Sequence, residues 1–139
     1  EGDCITRSLQ MYDTTTIKWE YRAPLPDDIG ATCGAQAIAI NDSMLVAGGY
    51  SRICANYLPT TNTWVKMSEP NLHHQYGSMV VCDCRVFILG GDCNDGENEE
   101  QRVSPAVEEF DFENNQWILS DIKLPMGLYL HHAVSLEGM

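Results

Sequence analysis

The sequence predicts an all-β fold of small repeated sheets, on three observations. Four apolar residues, Met44 to Ala47, run into Gly48-Gly49, and the pattern returns as Val86 to Leu89 before Gly90-Gly91, 42 residues later. An aromatic residue and then a tryptophan follow each diglycine seven residues apart, as Tyr57 with Trp64 and Phe110 with Trp117, and a third pair, Tyr12 with Trp19, lies upstream. The chain has only three tryptophans, and all stand in this register. A short apolar run ending in Gly-Gly reads as a buried strand whose end passes so close to other backbone that no Cβ fits. The aromatic and the tryptophan are plates large enough to fill the space between one sheet and the next, with the indole N–H reaching a partner. Repeats of roughly 40 to 50 residues that read as four short strands define a β-propeller.

In chain order, Gly2-Asp3-Cys4 echoes Gly91-Asp92-Cys93, which puts the first residues at the end of a second strand. Ser8 to Tyr12 reads as a third strand, Asp13 to Ile17 as a Thr-rich turn and Lys18 to Tyr21 as a fourth strand. Pro24 and Pro26 stop the pattern and open a loop. Ala35 to Ile40 is the next first strand, Asn41-Asp42-Ser43 a tight hairpin turn and Met44 to Gly49 the second strand. Ala55 to Leu58 and Trp64 to Lys66 complete that blade around the turn Pro59 to Asn62. The following blade repeats it: Gly77 to Cys82, a turn at Asp83-Cys84, Val86 to Gly91, Val107 to Phe112, a turn at Glu113 to Asn115, and Gln116 to Leu119. A further first strand is expected at His131 to Val134, with its turn at Glu137-Gly138. The expected organisation is two complete four-stranded blades, 27-70 and 71-125, the second carrying a loop insertion near 92-105, flanked by two incomplete ones, 1-26 and 126-139. Closed propellers hold four to eight blades. The chain is therefore expected to be a piece of a longer protein, marginal by itself and prone to associate through open sheet edges.

Diglycine, aromatic, six intervening residues and tryptophan together resemble the kelch repeat. Leu124-Pro125-Met126 followed by His131 to Gly138, and Ser68-Glu69-Pro70 before Gly77 to Val81, resemble the kelch-like group, in which BTB and BACK domains precede the propeller. That resemblance implies a partial kelch β-propeller that holds a protein target, while a BTB domain outside this segment dimerises and binds a cullin scaffold for ubiquitin transfer. It implies no catalysis and no cofactor. Kelch-like proteins often carry arginine a few residues before the first strand, where this chain has Gly34, Tyr76 and Leu130. A basic pocket is thus not expected here, and an acidic mouth facing a basic segment of the target is. Two other classes stay in view: a kelch scaffold that bundles or tethers actin, and a secreted galactose-oxidase-like enzyme using copper.

Composition sets limits on partners. With 44% hydrophobic and 20% charged residues, the chain reads as globular, and no apolar run approaches the length of a membrane span. A net charge of -12, with eight Lys and Arg scattered singly, argues against nucleic acid, which needs clustered cations. The six cysteines form no recognisable disulfide framework. They are expected to be free thiols in a reducing compartment, the cytoplasm first and the nucleus as the alternative. His73, His74, Cys82 and Cys84 are of the right types for zinc, but Cys-x-Cys is not the usual knuckle spacing, and no metal is expected. The acidic run from Asp92 to Glu100 places Gly96 one position short of the calcium-loop pattern and reads as a solvated insertion.

In propellers the strands are scaffold, and loops gathered at one mouth bind. The loops after the diglycines offer Tyr50, Ser51, Arg52, Asp92 and Asn94. Those joining one blade to the next offer His74, Gln75, Tyr76 and Tyr129, with Thr32 and Cys33. Tyr50, Arg52 and Tyr76 are the preferred contacts, because exposed aromatics and arginine dominate binding hot spots.

Overall fold

A computed structural model describes residues 6–93 and 103–136 of the chain. The architecture is all-β: three antiparallel sheets of two, four and four strands, with one short turn of 3₁₀ helix and no α-helix among the described residues. The first sheet pairs β1 (Leu9–Asp13) with β2 (Lys18–Arg22). The second is the meander β3 (Ala35–Ile40), β4 (Ser43–Gly48), β5 (Ile53–Leu58) and β6 (Thr63–Lys66). The third is β7 (Ser78–Cys82), β8 (Arg85–Leu89), β9 (Ala106–Asp111) and β10 (Gln116–Lys123).

Local chemistry accounts for the hairpins. Asn41 and Asp42 have φ of 50° and 56°, and Asp83 and Cys84 have 50° and 60°. Positive φ at both central residues is the two-residue turn whose twist matches the strands it joins. Ser43 therefore opens β4 instead of closing the turn, and its buried hydroxyl donates to Ile40 O at 2.8 Å. In the outer hairpins the aromatic pairs lie directly opposite one another: Tyr12 with Trp19, Tyr57 with Trp64 and Phe110 with Trp117. Their ring centroids are 5.2, 5.1 and 5.0 Å apart.

Several boundaries differ from those read in the sequence. Arg52 N–H donates to Gly49 O at 3.1 Å, closing the loop after the first diglycine early, so β5 starts at Ile53 instead of Ala55. β10 runs to Lys123, not Leu119, and a register shift between Leu119 and Lys123 marks a bulge. Past Pro26 the loop winds into the 3₁₀ turn Asp27–Ile29, which buries Ile29. Residues 131–136 form no strand: none of them pairs with a described strand, and the expected turn at 137–138 lies outside the described residues.

The sheets are joined face to face. Leu25 and Ile29 of the link after β2 pack with Ile53 and Ala55 of the second sheet. Ile40, Leu45, Ala47 and Cys54 of the second sheet pack with Met79, Val86, Ile88, Phe110 and Trp117 of the third. Each joint has the same polar clasp. Trp64 Nε1 donates to Ala23 O at 2.9 Å, and Trp117 Nε1 donates to Ser68 O at 3.0 Å. Ala23 N–H donates to Asn62 Oδ1 at 2.8 Å, and Ser68 N–H donates to Asn115 Oδ1 at 3.0 Å. Asn62 and Asn115 hold φ of 54° and 49° at the ends of their turns, a conformation that asparagine tolerates. Four-stranded meanders stacked and clasped in this repeating way are the blades of a propeller.

Candidate protein-recognition face

The diglycines build one end of each blade. Gly91 has φ of 96°, and a Cβ there would lie 2.6 Å from the carbonyl carbon of His74. A Cβ on Gly49, at φ 79°, would meet Cys33 O at 2.8 Å. This closeness lets the loop after each second strand hydrogen-bond to the loop that entered the blade. Tyr50 N–H donates to Cys33 O at 3.0 Å, and Asp92 N–H donates to Gln75 O at 2.6 Å.

The same loops join across blades. Gly34, Tyr76 and Leu130, equivalent in the repeat, all have positive φ of 72°, 56° and 52°. Tyr76 N–H donates to Gly34 O at 2.9 Å, and Leu130 N–H donates to Tyr76 O at 2.7 Å. Side chains add to this run. Cys33 Sγ and the Tyr76 hydroxyl are 3.5 Å apart, Gln75 Nε2 donates to Cys33 Sγ at 3.9 Å, and His73 Nδ1 meets Tyr50 O at 2.9 Å. The Cys33 sulfur beside it holds the Tyr76 phenol above its ordinary pKa. The result is one continuous loop surface from which Tyr50, Tyr76 and Tyr129 project, with Tyr50 61% and Tyr129 52% exposed.

Of the residues read as contacts, Tyr50, Ser51, Tyr76 and Tyr129 are exposed, and Arg52 and Gln75 are half-buried. Arg52 Nη1 donates to Asn71 O at 3.1 Å, which ties it to the joining loop. His74 is not a contact: it is wholly buried, with Nδ1 2.6 Å from Gly90 O and Nε2 2.8 Å from Glu108 Oε2. Asp92 is likewise buried, its backbone paired with Gln75 on one side and Val103 on the other. Asn94 lies outside the described residues. His74 is committed to Glu108, and Cys82 and Cys84 belong to a hairpin on β7 and β8, so the zinc grouping does not assemble. Among the described residues no three His, Cys, Asp or Glu side chains gather as metal ligands.

The residue that sequence reasoning missed is Glu108. On β9 it shares the face of Phe110, since side chains two apart on a strand point the same way. The repeat places it where the neighbouring blade has the fully buried Ala55. Its Oε1 accepts Asn71 N–H at 2.9 Å and Asn71 Nδ2 at 2.6 Å, and its Oε2 accepts Leu72 N–H at 2.9 Å as well as His74 Nε2. Burial pushes this carboxyl up, but the donors from His74, Asn71 and Leu72 outweigh it and hold the pKa below the ordinary glutamate value. Glu108 thereby fixes residues 71–74, the root of the loop that presents Tyr76. The period-two alternation of β9 was the signal for it.

Diglycine, aromatic pair, indole clasp and loop run together make these sheets kelch-type propeller blades. The chain carries kelch repeats and is related to the kelch-like proteins. Kelch-like protein 24 of Rattus norvegicus is 32% identical over 89 residues, 64% of this chain and 14% of that protein. Kelch-like protein 15 of Homo sapiens is 22% identical over an alignment of 152 residues, covering 94% of this chain and 24% of that protein. Alpha-scruin of Limulus polyphemus is 22% identical over 141 residues, 94% of this chain and 15% of that protein. No protein-family model matches the chain.

Proposed function

We infer that this chain is a protein-recognition module, serving as target-binding blades of a BTB-kelch adaptor for a cullin-RING ubiquitin ligase. The observation that carries the recognition reading is the loop surface: three exposed tyrosines held on a backbone hydrogen-bonded from blade to blade. Rigid aromatics on a preformed frame bind with little loss of side-chain entropy. Similarity to several kelch-like proteins supports the adaptor role, in which the cullin scaffold binds through a BTB domain outside this segment. The reading is non-enzymatic, needs no cofactor, and places the protein in the cytoplasm. A net charge of -12 supports a target with a basic segment.

The test is affinity capture with the protein that carries this chain, comparing it with the double variant Tyr50→Ala/Tyr76→Ala. Both side chains are exposed, so the blades should fold unchanged. The expected outcome is loss of the target with the cullin scaffold still captured, and target capture that weakens as salt rises. Capture of the target undiminished by the double variant overturns the recognition surface, and absence of the cullin from both captures overturns the adaptor role.

A further inference from the structure

The recognition surface has a seam where the joining loop of the third sheet lies over that of the second. Gly34, Tyr76 and Leu130 are equivalent in the repeat and all have positive φ, yet the last two carry large side chains. Backbone conformation therefore does not by itself call for glycine at 34. What lies over it does. A Cβ on Gly34 would stand 2.6 Å from Gln75 Cγ, 3.1 Å from Tyr76 N and 3.3 Å from Tyr76 Cδ1. The bare backbone of Gly34 is thus the seat of the Tyr76 ring. The far end of the ring is held too: the Tyr76 hydroxyl lies 3.5 Å from Cys33 Sγ, and the Gln75 amide reaches the same sulfur at 3.9 Å. With one side of the ring against Gly34 and the hydroxyl engaged, Tyr76, 37% exposed, presents the open side of its ring to solvent.

We propose that this seated ring is the subsite for a cationic side chain of the target, arginine or lysine, and that Gly34 is its positioning residue. The proposal rests on the reading of the chain as a recognition module and names what one part of that surface takes. An aromatic face is negative and attracts a cation placed over it, more strongly as the site is desolvated. The surroundings favour the same sign. The Cys33 sulfur first, and the Asp92 carboxylate after it, hold the phenol above its ordinary pKa, so the field at this ring opposes a further negative charge. The net charge of -12 draws cations and repels acidic segments. The opposing charge on this surface, the Arg52 guanidinium, is tied by Nη1 to Asn71 O at 3.1 Å.

The test uses the protein that carries this chain, with a displayed library of random dodecapeptides as the probe. Peptides selected by the wild type should be rich in Arg and Lys. Tyr76→Phe keeps the ring face and should bind them within about twofold of wild type, whereas Tyr76→Leu should lose about five- to thirty-fold. Replacing the basic residues of a selected peptide by Gln should weaken wild type by a similar factor and Tyr76→Leu little. Gly34→Ala, with the ring intact but unseated, should lose binding as Tyr76→Leu does, and its Tyr76 phenol, parted from Cys33, should titrate at lower pH than in the wild type. Both Tyr76 variants alter an exposed side chain, so the subsite is read even where Gly34→Ala is unstable. Selection of acidic or uncharged peptides, or equal binding by Tyr76→Leu, overturns the cation subsite and leaves the recognition reading standing. Undiminished binding by Gly34→Ala overturns the seat, and a library in which nothing binds overturns the recognition reading and the proposal with it.

Discussion

Replacing Glu108 tests the claim that one buried carboxylate organises the joining loop that carries Tyr76. Four donors converge on it: two backbone N–H groups, the Asn71 amide and the His74 ring. Glu108→Ala would leave all four facing a cavity in a site closed to water. Leaving a buried donor without its acceptor costs about 1–3 kcal/mol, so stripping the acceptor from all four removes a large part of the roughly 5–15 kcal/mol that holds a domain together. Glu108→Gln keeps the volume and one acceptor oxygen but loses the charge and turns its amide toward donors, at a cost of about 1–3 kcal/mol. Urea unfolding followed by the fluorescence of the buried Trp117 in the same blade measures both.

The pH dependence separates this account from simple loss of packing. The folded-state pKa of Glu108 is depressed, so its stabilising contribution is present above the unfolded glutamate pKa. It is lost as pH falls through the folded value. The gap between wild type and Glu108→Gln should therefore be constant around neutrality and narrow as pH drops below the ordinary carboxylate range. Other acids with lowered pKa, Asp13, Glu109 and Asp111, are present in both proteins and cancel in the difference. A gap that stays constant into that acid range would refute the charge-based reasoning and leave Glu108 as a space-filler.

Gly91→Ala should lower the melting temperature sharply: the left-handed backbone alone costs about 1–2 kcal/mol, and the new methyl would lie 2.6 Å from backbone that cannot yield. A melting temperature equal to wild type would mean that the diglycine is not required by close approach. Cys54, whose thiol burial pushes up to about 12, should resist alkylation in the native protein while the exposed Cys33, Cys82 and Cys84 react. Mass spectrometry of the native and urea-unfolded protein reads this, and native labelling of Cys54 at the rate of the others would contradict its placement between blades.

What the sequence made legible was whatever is encoded within a few residues of chain. Gly48-Gly49 and Gly90-Gly91 announce close approach because only glycine has no Cβ. Asn41-Asp42 and the seven-residue aromatic step each fix a hairpin locally. The candidate face was half legible for the same reason: Tyr50, Tyr76 and Tyr129 follow from the loop register alone. His74 was misplaced because its position depends on a carboxylate 34 residues further along, and no local pattern marks a loop histidine for burial. The β10 bulge was invisible too, although its trace was there: Leu124 stands seven residues after Trp117, while Leu25 stands six after Trp19. One extra residue in an outer strand must either lengthen the link or bulge the strand. Here the next link is held by Leu124 N–H on Pro105 O at 2.8 Å, as Leu25 N–H is on Arg7 O at 2.9 Å. With that end fixed in both blades the strand took up the slack, and the repeat register, followed one residue at a time, carries the same information that the fold displays.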